Sequence, residues 1–329
     1  MRRPDQLSLR PCPVPLLRQA DAAVRLDVAH RRGDVHRVAR GVFAPTDPWS
    51  RLTRWDRYLA RVPAHALTHP DAVFALESAA VLLGVPVAGA LDEVHVLSDG
   101  TAGRLVAGVR THVTRDRRDL RTVDGLILLS PEETAVDLAR MRHRAVGLMA
   151  ADAVRLLDRP HPDVLIARNE ARASSRGRDA ARWALSRATP LAESALESVS
   201  RAAVEWLGYP PPDLQVIFRA DDGTPHRADM YWPDDDVIGE ADGRVKYDGT
   251  LGDGGKRLWD EKQREDALRR RVAGFARWGH EHVMRVDPLD TILRSAGLRH
   301  IHPRESGPLL TLRRALTPRQ SSSTPRMRG

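Results

Sequence analysis

The chain has 329 residues, 42% hydrophobic and 29% charged, with a formal charge of +8, a globular composition that excludes wholesale disorder. A single cysteine, Cys12, excludes an intramolecular disulfide framework and any multi-cysteine zinc site. The longest apolar run, Ala79 to Leu91, is broken by Gly84, Pro86 and Gly89, and the N-terminus lacks the unbroken apolar core of a secretory signal, so the expectation is a cytoplasmic protein with no membrane partner.

The charge is unevenly placed. Residues 1–189 carry 30 basic and 22 acidic side chains, residues 190–303 carry 16 and 21, and residues 304–329 set six arginines against Glu305. Basic flanks suit a polyanion, here a nucleic acid and by expectation double-stranded DNA, while an acidic centre suits a cation. Only three of the basic residues are lysines, and Lys246, Lys256 and Lys262 fall within one window of 17 residues.

In chain order, residues 16–31 have the apolar spacing of a helix. VHRVARGVFAP follows as a strand pair turning at Gly41, with Arg37 and Arg40 placed to meet DNA phosphates. Residues 1–48 are therefore expected to form a winged-helix-like DNA-binding segment. Residues 49–159 read as mixed α/β: a helix near 50–60, the run HPDAVFALESAAVLLGVP, and strands at VHVL and RTHVT. A further helix there starts at Ser130 (N-cap), Pro131 and Glu133. His69, His95 and His112 lie on separate elements without metal-ligand spacing and are expected to be structural. Residues 160–189 form an arginine- and alanine-rich helical linker broken at Gly177. Residues 304–329, rich in Arg, Ser and Pro, are expected to be a disordered basic tail.

Between them, residues 190–303 read αβββαβα, a small α/β domain with a mixed sheet. In its third strand, VIGEAD, the alternation of side chains puts Glu240 and Asp242 on one face. A hairpin turn at 233–236 brings Asp229, from HRADMYW, opposite Glu240. Adjacent carboxylates repel unless they share a proton, pair with cations or bind a metal. Asp229, Glu240 and Asp242 together offer the hard oxygen donors that Mg²⁺ or Mn²⁺ prefers. In the following helix Glu261, Glu265, Leu268 and Val272 fall on one stripe, so an apolar face continues into two glutamates. Lys262 lies on its flank, and Lys246 lies four residues past Asp242. Carboxylates with ammonium groups nearby meet the needs of metal-assisted phosphodiester cleavage.

SALES, RADMYWP, VIGEADGRVKY and DEKQREDALR, in that order over about 193–290, resemble the very-short-patch-repair-like endonuclease domains of the PD-(D/E)XK restriction-endonuclease-like fold. The resemblance implies Glu197 as the acid of the first helix and Asp229 and Glu240 as metal carboxylates. Asp242 stands where that pattern has lysine, which leaves the ammonium to Lys246 or Lys262. Upstream, RVARGVFAP, FALESAAVLLGVPVAG and LSPEETAVDLAR resemble AbiEi-type antitoxins with an N-terminal winged helix. Two rivals to the endonuclease reading stand beside it: a non-enzymatic regulator of the antitoxin type that keeps the nuclease fold as a scaffold, and an interaction module whose acidic patch grips a basic partner.

Overall fold

The computed structural model describes residues 7–220, 223–242 and 263–318. Its strands fall into three sheets. The first is built from β1 (Leu17–Arg18), β2 (Val35–Ala39) and β3 (Val42–Pro45) in the order β1-β3-β2. Between β1 and β2 lies the short helix α1 (Leu26–Arg32), which Gly33 ends in the left-handed region. The helix expected over 16–31 is thus confined to its last third. Strand pairing overrides the apolar spacing upstream: Leu17 and Arg18 pair with β3, the Gln19 amide donates to the Gly41 carbonyl at 3.0 Å, and an Arg18–Asp21 ion pair closes the turn. Leu26, Val35 and Phe43 form the small core beneath. The β2–β3 hairpin turns at Arg40–Gly41, where Gly41 takes φ +71, a conformation glycine adopts without strain.

Helices α2 (Thr46–Arg51) and α3 (Arg54–Ala66) then lead into a six-stranded mixed sheet. Its strands are β4 (Val73–Phe74), β5 (Val94–Ser98), β6 (Leu105–Val106), β7 (Val109–Val113), β8 (Leu120–Val123) and β9 (Leu126–Leu129), ordered β6-β7-β5-β4-β9-β8. Helix α4 (Leu76–Leu83), entirely buried, and α5 (Pro131–Met141) pack on it around Tyr58, Phe74, Leu82 and Leu128. The α5 start follows the sequence reading, with Ser130 Oγ accepting the Glu133 amide.

A larger core joins α6 (Arg144–Asp158), α7 (Pro162–Glu170), α8 (Arg178–Ser186) and α9 (Ala195–Leu207) to one face of a four-stranded sheet. That sheet runs β10 (Asp213–Arg219), β11 (Pro225–Trp232), β12 (Val237–Asp242), β13 (Gly274–Gly279), with only β12 and β13 parallel. Trp206, Trp232 and Trp278 fill this core. Gly239 sits where two of them converge; a Cβ there would lie 2.7 Å from both the Trp232 and Trp278 rings. Helix α10, described over residues 263–269, covers the other face, where Leu268 meets Ile238 and Phe275. Helices α11 (His280–Arg285), α12 (Asp287–Ser295) and α13 (Ser306–Leu316) complete the described chain. Helix α13 corrects the tail expected over 304–329 at residues 306–316, and residues 319–329 lie outside the described residues. Leu309 and Leu312 are buried in the large core, so one apolar edge orders a segment whose arginines suggest disorder. Among the described residues no helix is long and apolar enough to cross a membrane.

A carboxylate cluster at a break in the sheet

The antiparallel register of β11 and β12 runs from Trp232↔Val237 to Met230↔Gly239 and then stops. The next step would set Asp229 opposite Glu240. Instead the Ala241 amide donates to Asp229 Oδ2 at 3.1 Å, so the acid's side chain takes the place of a ladder carbonyl. On the other side of β11, Leu214 pairs with Met230 and Val216 with Ala228. Gln215 lies between them, opposite Asp229 and outside the ladder, with φ +57. A left-handed glutamine inside a strand is strained by about 1–3 kcal/mol, a cost that concentrates at functional sites. In the parallel pairing with β13, Glu240 lies beside Arg277. Gln215, Asp229, Glu240 and Arg277 thus make a row across all four strands.

Helix α9 adds Glu197 from its first turn, where Ser194 Oγ accepts the Glu197 amide at 3.1 Å. Glu197 Oε2 accepts from the Glu193 amide (3.0 Å) and from Gln215 Nε2 (3.2 Å). Arg264 of α10 reaches Glu240 Oε2 at 2.5 Å and also donates to the Arg227 carbonyl at 2.7 Å. Glu240 is 5% exposed, and its Oε1 is buried with no hydrogen-bond partner among the described residues.

The electrostatics follow from this geometry. Burial, reinforced by the Asp229 charge, pushes the Glu240 carboxyl up to about 7 despite Arg264. Burial raises Asp229, with the Asp242 charge adding to it, and burial raises Glu197, with Asp229 adding. Three neighbouring carboxyls are all shifted toward the neutral form, burial being the first cause in each.

The residues picked from sequence are distributed as follows. Glu197, Asp229 and Glu240 come together. Asp242 is engaged elsewhere: Arg277 Nη2 binds its Oδ1 at 3.0 Å and Arg277 Nε its Oδ2. Glu265 is held by Arg269 and Arg277. Lys246, Lys256, Lys262 and Glu261 lie outside the described residues. Among the described residues no group of three or more His, Cys, Asp or Glu side chains is spaced to hold a metal ion. The donors left for one here are Asp229 and Glu240, and the orphaned Oε1 of Glu240 fits the need of a hard cation for an anionic oxygen. Sequence reasoning missed Gln215, Arg264 and Arg277. A polar residue amid the apolar run LQVIF was the signal for the first, whereas the two arginines are indistinguishable by spacing from their many neighbours. In the N-terminal sheet, Arg37 is exposed on β2, 5.7 Å from the Phe43 ring centre, and Arg40 is exposed at the hairpin tip.

Two curated proteins are similar to this chain: Uncharacterized protein MT2308 of Mycobacterium tuberculosis (strain CDC 1551 / Oshkosh) and Uncharacterized protein Rv2248 of Mycobacterium tuberculosis (strain ATCC 25618 / H37Rv). Each is 33% identical over 213 residues, covering 64% of this chain and 74% of the relative. The chain belongs to their family. No family model and no solved structure matches it.

Proposed function

We propose that residues 190–303 are a metal-dependent endonuclease-like domain of the PD-(D/E)XK kind that hydrolyses phosphodiester bonds in double-stranded DNA, in defence or repair. The observation carrying this reading is the buried, unpartnered Oε1 of Glu240 beside Asp229, in a cluster whose carboxyls are all raised. Asp229 and Glu240 would hold Mg²⁺ or Mn²⁺, which when bound polarises the phosphate and lowers the pKa of water. The chain's own residues prepare that step. Glu197 fixes Gln215 through its amide, Asp229 is aimed by the Ala241 amide, and Arg264 holds one oxygen of Glu240 and leaves the other without a partner among the described residues. Lys246 or Lys262 supplies the ammonium in place of position 242. Arg37, Arg40 and the winged-helix-like segment supply phosphate contacts, as the basic balance of residues 1–189 favours.

Incubation of supercoiled plasmid with the full chain and Mg²⁺ or Mn²⁺ tests the proposal. Nicking is expected for the wild type and its loss for Glu240→Gln and Asp229→Asn. A second reading is favoured by one observation. Arg264 on Glu240 and Arg277 on Asp242 already supply cations at two of the acids. On that reading the protein is a regulator of the AbiEi-antitoxin type with a degenerate nuclease fold, and the wild type binds duplex DNA with a steep salt dependence while cleaving nothing.

A further inference from the structure

The parallel pairing of β5 and β7 sets Leu97 beside His112, two residues along from His95. It brings together two histidines that local spacing keeps apart. His95 Nδ1 and His112 Nε2 face each other at 3.0 Å, with ring centres 5.2 Å apart. His95 is fixed from every side. Its amide donates to Ser78 Oγ at 2.8 Å, Ser78 bonds Tyr58 OH at 2.9 Å, and its carbonyl accepts from the Ala75 amide at 3.1 Å. Its Nε2 stands 3.3 Å from Glu77 Oε2, and Glu77, 3% exposed, is clamped by Arg142 at 2.5 and 2.8 Å. Glu77 follows Leu76, which holds φ +49, another left-handed residue at a buried polar group.

A carboxylate paired with arginine only accepts, so the nearness of Glu77 favours the His95 tautomer with its proton on Nε2 and the Nδ1 lone pair toward His112. A carboxylate that takes one ring N–H so that the other nitrogen is free is the usual support of a metal-ligating histidine. We propose that His95 Nδ1 and His112 Nε2 form a binding site for a divalent cation of the Zn²⁺, Co²⁺, Ni²⁺ class. Zn–N bonds of about 2.0–2.1 Å place two ligands of a tetrahedral ion roughly 3.3 Å apart, close to the separation of these nitrogens. The remaining coordination positions open to a cleft of about 1180 Å³ that Glu93, Arg110, Arg142 and Arg176 help to line, leaving them to water or an anionic ligand. Imidazole nitrogens select this class of metal over Mg²⁺, so the site is separate in residues and in ion from the carboxylate cluster.

Metal-stripped full-length protein titrated with Co²⁺ in excess Mg²⁺, followed by visible absorbance and by calorimetry, tests the assignment. One equivalent is expected in the wild type and in Glu240→Gln, with affinity at least tenfold lower in His112→Gln. Glu77→Gln should weaken binding by about 10–100-fold through loss of ring orientation. His112 is only partly buried, so its variant is expected to keep the wild-type circular dichroism. No Co²⁺ uptake by the wild type, or equal uptake by folded His112→Gln, would reduce the pair to a histidine–histidine hydrogen bond. Uptake lost in Glu240→Gln instead would move the metal to the carboxylate cluster.

Discussion

Two buried groups of acids in this protein are treated in opposite ways. On α5, Glu133 receives Arg118 at 2.7 Å, Arg168 at 2.9 Å and also Arg172. Burial there works to raise its carboxyl, yet the arginines, Arg172 foremost, hold it below the ordinary range. In the C-terminal sheet Glu240 is similarly buried but has Arg264 on one oxygen and, among the described residues, no partner on the other. The first group is neutralised within the fold and ties α5 to the loop before β8 and to α7 and the residues just after it. The second keeps one oxygen of Glu240 without a hydrogen-bond partner among the described residues. Depth of burial is much the same for Glu133 and Glu240; what differs is the number of cations that reach each carboxylate.

The largest effect should come from breaking the complete group. Glu133→Ala leaves three arginines without their shared carboxylate and should cost about 3–5 kcal/mol in urea denaturation. Glu240→Gln, at the incomplete group, should be neutral or stabilising without metal. A comparable loss at both positions would erase the distinction.

The pH dependence differs next. With its carboxyl at about 7 in the folded chain and near 4.5 when unfolded, Glu240 keeps a proton that the unfolded chain releases. Its contribution is therefore fully present below pH 4.5 and lost as pH rises through 7, by about 3 kcal/mol in the limit. Comparing urea midpoints of wild type and Glu240→Gln from pH 4.5 to 8 should show that fall in the wild type and its removal in the variant. Parallel profiles would place the titration elsewhere.

Gln215→Gly sharpens the comparison at smaller scale. Relief of the left-handed backbone and loss of the Glu197 hydrogen bond should offset one another to within about 1 kcal/mol. Mg²⁺-dependent stabilisation should nonetheless weaken, because Glu197 and the row beside it lose a tie. A destabilisation beyond 3 kcal/mol would make Gln215 a structural residue.

The smallest change concerns the N-terminal sheet. Arg37→Ala with Arg40→Ala should lower the salt slope of duplex binding by roughly 2, near 0.9 per phosphate contact. An unchanged slope would take the hairpin out of the interface.

What sequence made legible was local. The parity of Glu240 with Asp242, the hairpin that brings Asp229 to Glu240 and the Ser130 cap all follow from spacing within one or two elements. What it hid depends on distant pairing. The parallel β12–β13 register sets Arg277 beside Glu240, from where it pairs with Asp242, and the β5–β7 register brings His95 near His112. Helix α13 was hidden by composition, since two buried leucines outweigh the arginines and prolines around them. The short helix α1 is the converse case, in which β1–β3 pairing defeats an apolar pattern.

The most direct test is the thermal midpoint of metal-stripped protein at pH 7.5 with and without Mg²⁺, in wild type and Glu240→Ala. A cation that binds only the folded chain raises the midpoint as its concentration passes the dissociation constant. The incomplete-group account predicts a rise in the wild type and none in Glu240→Ala; an equal rise in both, or none in either, would contradict it.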